Sequence, residues 1–184
     1  MKFKCVVAVV VLSAIVALAQ TPAGQTFNAD GVSFNYPDGW TVYNDSNSDA
    51  QQVTLARPKN DVQIRVFVHK GRITPEKFAD AKKAFIDPYV ASVVKQFVAM
   101  GAKPEQSADS SDIAGAKAEG VKVTANLGEP GAAKIYWALV GRRVVILTIF
   151  GPDREIKEFT PAWDTVRSSF KVEDKSTPRP SPKP

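Results

Sequence analysis

Two periods organise this chain. Apolar and polar residues alternate with a step of two through most of it, and recur at steps of three or four in two segments. Val32, Phe34 and Tyr36 alternate with Ser33 and Asn35, the pattern of a strand with one buried face. Pro37-Asp38-Gly39 breaks that strand, because Pro fixes φ, Asp bonds to its own backbone and Gly accepts positive φ. Residues 40–43 resume as a second strand, and the polar run 44–51 reads as a surface loop. A third strand is predicted over 53–57. In the fourth, Val62, Ile64, Val66 and Val68 oppose Gln63, Arg65, Phe67 and His69. The short connection between Pro58 and Asp61 makes these last two an antiparallel hairpin.

The step then changes. Thr74-Pro75-Glu76 starts a helix, with Thr as cap, Pro at the first helical position and Glu at the positive end of the dipole. Phe78, Ala81, Phe85, Tyr89, Val93, Phe97 and Met100 form one apolar stripe, whose aromatic members are read as core. Asp87-Pro88 predicts either a kink or two consecutive helices, the second capped by Asp87, and Gly101 closes the element. Strands return over 105–109, 116–126 and 133–140, with loops at 128–131 and a tight turn at Gly141-Arg142. Residues 143–150 are apolar on both faces, which predicts a central strand covered on two sides. Ile156, Phe159, Trp163, Val166 and Phe170 predict a last helix, with Thr160-Pro161 as an internal cap and first position, and residues 168–172 a short terminal strand. This order predicts an α+β domain: an antiparallel β-sheet with helices packed on its faces, and Trp40 in the core beneath a helix.

The chain ends follow other rules. Lys2 and Lys4, the apolar run from Val6 to Leu18, and Ala17-Leu18-Ala19 have the form of a secretory signal, with the mature start at Gln20. The run is shorter than the roughly 20 residues a membrane span requires. Cys5 precedes it instead of ending it, which excludes lipidation at a cleavage site. The expected organisation is a signal peptide over 1–19, a short leader over 20–26, a single domain over 27–172 and a disordered, Pro-rich basic tail over 173–184. The expected location is exported, periplasmic or secreted, without stable membrane insertion after cleavage.

Signal removal takes the only cysteine, so the mature chain has no disulfide and no thiol chemistry. It also removes two lysines, and the formal net charge of +5 falls to +3, too mild and too dispersed for a nucleic-acid partner. His69 is the sole histidine, at a strand end. The loop carboxylates Asp45 and Asp49 lack the ligand spacing and closing Glu of a calcium loop. Asp30, Asp38, Asp61, Asp87, Asp153 and Glu155 fall at turns or helix starts, where capping accounts for them. No catalytic, cofactor-binding or metal-binding residues are assigned and no cofactor is expected. The candidate partner contacts are Tyr136, Arg142 and Arg143, with an envelope protein as the partner.

The opening Gly31 to Trp40, read as small-apolar-x-aromatic-x-Tyr-Pro-x-Gly-Trp, with Phe78 in a helix and the closing Ser168-Ser169-Phe170-Lys171-Val172, resembles the superfamily of PsbP-like extrinsic photosystem proteins and DcrB-like bacterial periplasmic proteins. The resemblance covers Phe27 to Val172. It implies an α/β/α sandwich around an antiparallel sheet, usually without enzymatic activity, in proteins that act as assembly factors, extrinsic subunits or effector chaperones. The plant members carry a long N-terminal region where this chain has residues 20–26, and the effector chaperones are cytoplasmic, against the signal peptide. The expectation is an exported, non-catalytic binding or assembly module of the bacterial cell envelope. The alternative is a secreted hydrolase or small-ligand-binding protein.

Overall fold

In the computed structural model the described residues are 24–173; the expected signal peptide and nearly all of the expected tail lie outside them. In chain order they form β1 (Gly24–Ala29), β2 (Val32–Pro37), β3 (Thr41–Asn44), β4 (Ala50–Ala56), β5 (Gln63–His69), a 3-10 turn (Pro75–Lys77), α1 (Phe78–Ala81), a π turn (Lys82–Ile86) and α2 (Asp87–Ala99). Then follow β6 (Glu105–Ile113), β7 (Ala116–Asn126), β8 (Pro130–Val140), β9 (Arg143–Pro152), α3 (Asp153–Glu158), α4 (Thr160–Ser169) and β10 (Lys171–Val172).

All strand pairs are antiparallel. Two meanders, β3 to β5 and β6 to β9, join where β5 pairs with β9, giving a seven-stranded sheet in the order β3-β4-β5-β9-β8-β7-β6. The helical segment 75–99 is the crossover between the meanders. A smaller sheet, β1-β2-β10, is separate. β9 is interior to the large sheet, as its two apolar faces require: Val145, Leu147 and Ile149 enter one core, Val144 and Ile146 the other.

One face of the large sheet is covered by the helical crossover, with Ala81, Ile86, Val93 and Phe97 on Val123, Ile135, Trp137 and Ile146. The opposite face carries α3, α4 and the small sheet, which bring Phe34, Phe159, Trp163, Val166 and Phe170 onto Val66, Tyr136 and Leu147. The result is an α+β sandwich with helices on both faces of an antiparallel sheet. Trp40 is 5 % exposed and lies against Phe159, at the junction of α3 and α4.

Several boundaries differ from expectation, each for a tertiary reason. β1 starts at Gly24, inside the expected leader, because it pairs along its whole length with β2 and its one large apolar residue, Phe27, stacks on Phe34 at 4.9 Å. Pro37-Asp38-Gly39 carries the chain from the small sheet to the large one. β4 begins at Ala50, within the expected loop, and Gln51 is fully buried with its Nε2 donating to the Ala29 carbonyl at 2.6 Å. β6 runs to Ile113 because β7 pairs with all of it. β8 begins at Pro130, where the sequence suggests a loop.

α2 starts at Asp87 with Pro88 in its first turn, the consecutive-helix alternative of the sequence, but Asp87 supplies no side-chain cap. The π turn over Lys82–Ile86 shifts the hydrogen-bond register one residue ahead of the position where Pro88 has no N–H to give. The expected last helix is divided at Phe159, and the Thr160 hydroxyl donates back to the Ile156 carbonyl at 2.9 Å instead of capping.

Candidate functional site

The structure separates the three residues expected to form a contact surface. Tyr136 is only 6 % exposed, turned into the core beneath α4, with its ring 6.1 Å from Trp163 and its hydroxyl donating to Asp109 Oδ2 at 2.7 Å. Burial first, and then the bond to the Asp109 carboxylate, push its pKa well above the usual tyrosine range. β8 is covered on both sides, so alternation places Tyr136 in a second core and not in solvent. Arg142 occupies the β8–β9 turn with φ of 61°, and its carbonyl accepts the Ile73 N–H at 2.7 Å. Arg143 donates to the Asp30 carbonyl at 3.4 Å, beside the ion pair of Lys70 with Asp30 at 2.9 Å. Arg142 and Arg143 therefore belong to the bracing of one end of the sheet, away from Tyr136. His69 ends β5 as expected: its Nδ1 accepts the Gly71 N–H at 3.1 Å and its ring lies 4.1 Å from that of Phe85.

A different arrangement gathers unused polar chemistry. Between α2 and strands β4 and β5 lies a cleft of about 330 Å³. Its floor is the polar face of β5, where period two aligns Gln63, Arg65 and Phe67, and its wall is α2, where helical spacing aligns Tyr89, Ser92 and Gln96. Thr54 and Gln52 complete it from β4, paired in register with Arg65 and Phe67.

Among the described residues Arg65 is the only charged one in this lining. Its Nε and Nη2 donate to Gln63 Oε1 at 3.2 and 2.9 Å, and its Nη1 donates to Gln96 Oε1 at 3.2 Å. The guanidinium carbon lies 5.4 Å from the centroid of the Phe150 ring. Both acceptors are neutral amides, and no acid lies within ion-pair distance of Arg65 among the described residues. Behind it, the Tyr89 hydroxyl and Thr148 Oγ1 are 3.0 Å apart, and burial raises the Tyr89 pKa. A fixed cation, neutral hydrogen-bonding groups and a protonated phenol make a surface for holding an anionic group.

Two other concavities differ in kind. In the groove beside Trp137, Lys82 is bound to Glu119 at 3.1 Å and lies 5.1 Å over the indole ring. The hydrogen bond and charge of Lys82 hold Glu119 below the ordinary carboxylate range. A cleft of about 310 Å³ lined by Phe97, Met100, Leu127, Phe150 and Pro152 is largely apolar. The first is also lined by Asp87 and Lys95 and the second by Asp61 and Glu129, but among the described contacts none of these is held between neutral amide side chains as Arg65 is.

By alternation alone Arg65 is only the outward neighbour of Ile64 and Val66 in β5. The available signal was Ser92 and Gln96, polar residues three and seven positions beyond Tyr89 on the flank of the apolar stripe. They bring hydrogen-bonding groups to a helix face otherwise given to the core.

No protein-family model and no curated protein matches the chain. Solved structures do. The solution structure of cyanobacterial PsbP (CyanoP) from Synechocystis sp. PCC 6803 aligns at 16% identity over 82% of this chain and 92% of that one, with a TM-score of 0.48. A crystal structure from Bacteroides thetaiotaomicron VPI-5482 aligns at 14% identity over 83% of this chain, with a TM-score of 0.53. The alignment spans about half of the Bacteroides chain, 49% of its length. At these identities the likeness is one of fold alone, an antiparallel α+β sandwich of the kind the sequence predicts.

Proposed function

We propose that the protein is an exported, non-catalytic binding module of the bacterial cell envelope and that the Arg65 cleft is its binding site. The observation that carries this reading is the environment of Arg65: a guanidinium exposed to a cleft, held by two neutral glutamines, with no acid among the described residues to neutralise it. A structural arginine in a sandwich core is ordinarily paired with a carboxylate, as Arg167 is here with Asp112 and Asp164. Catalysis by acid or base requires a group that titrates near the working pH and reaches substrate. The cleft lining offers only Tyr89, whose pKa is raised and whose hydroxyl is engaged by Thr148. Export rests on the signal-peptide pattern of residues 1–19. Among the described residues no helix is long and apolar enough to cross a membrane.

Two measurements test the reading. Cell fractionation with intact-mass determination should find the mature chain outside the cytoplasm and beginning at Gln20. Equilibrium dialysis against the small-molecule fraction of an envelope extract should show a compound retained by the wild type and released by R65Q. A cytoplasmic protein beginning at Met1, or conversion of the compound to a product, would overturn it.

A further inference from the structure

We infer that the Arg65 cleft takes a small organic monocarboxylate, its carboxylate bound by Arg65 and its other polar groups met by Gln52, Thr54, Ser92 and Gln96. The inference rests on the reading of this cleft as a binding site and specifies its ligand class. A guanidinium has five N–H donors. Three are used on Gln63 and Gln96, which leaves one on each terminal nitrogen without an acceptor among the described residues. Two parallel donors on a planar fork match the two oxygens of a carboxylate. The glutamines fix the fork: Gln63 spans its Nε edge and Gln96 holds Nη1, while Phe150 lies against the guanidinium. The donor pair is thus set in place before a ligand arrives, and binding does not have to order a free arginine side chain.

Charge selects within the anions. Among the described residues the lining holds one cation and no second Lys, Arg or His, so a single negative charge is compensated and a dianion would keep one charge unpaired beside an apolar wall. This favours a carboxylate over phosphate. Size sets the scale: about 330 Å³ is near the low end of the roughly 300–1,000 Å³ of small-molecule sites and suits a compound of a few carbons. Beside the apolar wall of Val53, Val66, Phe67 and Val93, the other polar lining is hydroxyl and amide, which favours a ligand with a hydroxyl or amino group beyond its carboxylate over a plain fatty acid.

The test uses the mature, exported protein. Thermal unfolding and calorimetric titration are run with sodium acetate, sodium lactate and sodium phosphate at matched ionic strength, at concentrations up to about 10 mM, enough to detect a Kd near 1 mM. Lactate should raise Tm more than acetate does, and R65Q should show neither rise. R65K, which keeps the charge without the fork, should bind lactate at least about tenfold more weakly than the wild type. R65K also serves as the variant if R65Q does not fold. The inference is overturned if neither carboxylate shifts the wild type, if phosphate alone does, or if the shift is equal in wild type and the folded variants. Its failure is separable from that of the site itself: an Arg65-dependent compound retained from envelope extract, with no response to the carboxylates, removes the ligand class and leaves the site.

Discussion

Gly120 lies opposite Tyr136 in the β7–β8 pairing, and a Cβ placed on Gly120 would come within 2.4 Å of the Tyr136 ring and 2.6 Å of the Ile135 carbonyl oxygen. The strand therefore gives up a side chain so that the Tyr136 ring can lie across it and reach Asp109 on β6 with its hydroxyl. One of the two obstructions is backbone, so a ring rotation cannot relieve both. Gly120→Ala is expected to destabilise the domain by about 2–3 kcal/mol, read from the midpoint of urea unfolding. A neutral or stabilising result would show that the β7–β8 register differs from the one described here.

Trp40 meets Phe159 edge to face, with ring centroids 5.6 Å apart and planes at 85°. The contact ties the turn after β2 to the break between α3 and α4. Trp40→Ala should cost about 3–5 kcal/mol, through lost burial and the cavity left behind. The Trp40 indole N–H has no hydrogen-bond partner among the described residues, so Trp40→Phe loses volume but no bond and should cost less than half as much. An unchanged melting temperature in Trp40→Ala would take Trp40 out of the core.

These residues show what the chain's own pattern does and does not encode. Residues 143–150, apolar on both faces, could only be a central strand, and the helical stripe from Phe78 to Phe97 could only be a core-facing side. Local alternation fails where burial is set from afar. As a candidate partner contact Tyr136 has to face solvent, and alternation does place it opposite Ile135 and Trp137, but α4 covers that face as well. Gln51 reads as loop because its partner, the Ala29 carbonyl, is 22 residues away. The Arg65 cleft depends on how the middle of α2 lies over β4 and β5, a tertiary relationship with no local signature beyond Ser92 and Gln96.

Tyr89 and Tyr136 set a limit at alkaline pH. Burial is the main reason that both phenols hold their protons more tightly in the folded chain, although Thr148 opposes it at Tyr89 and Asp109 adds to it at Tyr136. The unfolded chain loses the same protons near the ordinary tyrosine value of about 10. Below that pH the two states bind equal numbers of these protons and the contribution to stability is constant. Above it the unfolded state binds fewer, so stability falls as pH rises until the folded-state values are passed. Denaturant midpoints measured from pH 7 upward should be level and then fall from about pH 10. Tyr136→Phe should lower stability near neutral pH by about 1 kcal/mol, for the bond to Asp109, and should make the alkaline fall shallower. An unaltered slope would mean that Tyr136 is not shielded from water.

Glu155 was expected to act as a first-turn residue of a helix, and its position in α3 is that, but its side chain does something else. It is 6 % exposed, and its Oε2 accepts the backbone N–H groups of both Asp61 and Val62 at 2.8 Å. These amides stand at the entrance to β5, so a carboxylate from the second half of the chain fixes the start of the strand that carries Arg65. Arg154 reaches its other oxygen only at 3.8 Å, from a side chain that is mostly exposed, which leaves the two amides as its main partners. Glu155→Ala removes the acceptor from both amides and should cost about 3 kcal/mol. Glu155→Gln keeps one acceptor oxygen without the charge and should cost roughly half of that. Because the two amides precede β5, amide hydrogen exchange at Asp61 and Val62 should accelerate in Glu155→Ala well beyond the change at β7 and β8. Equal acceleration across the whole sheet would mean that Glu155 contributes to global stability without anchoring this strand.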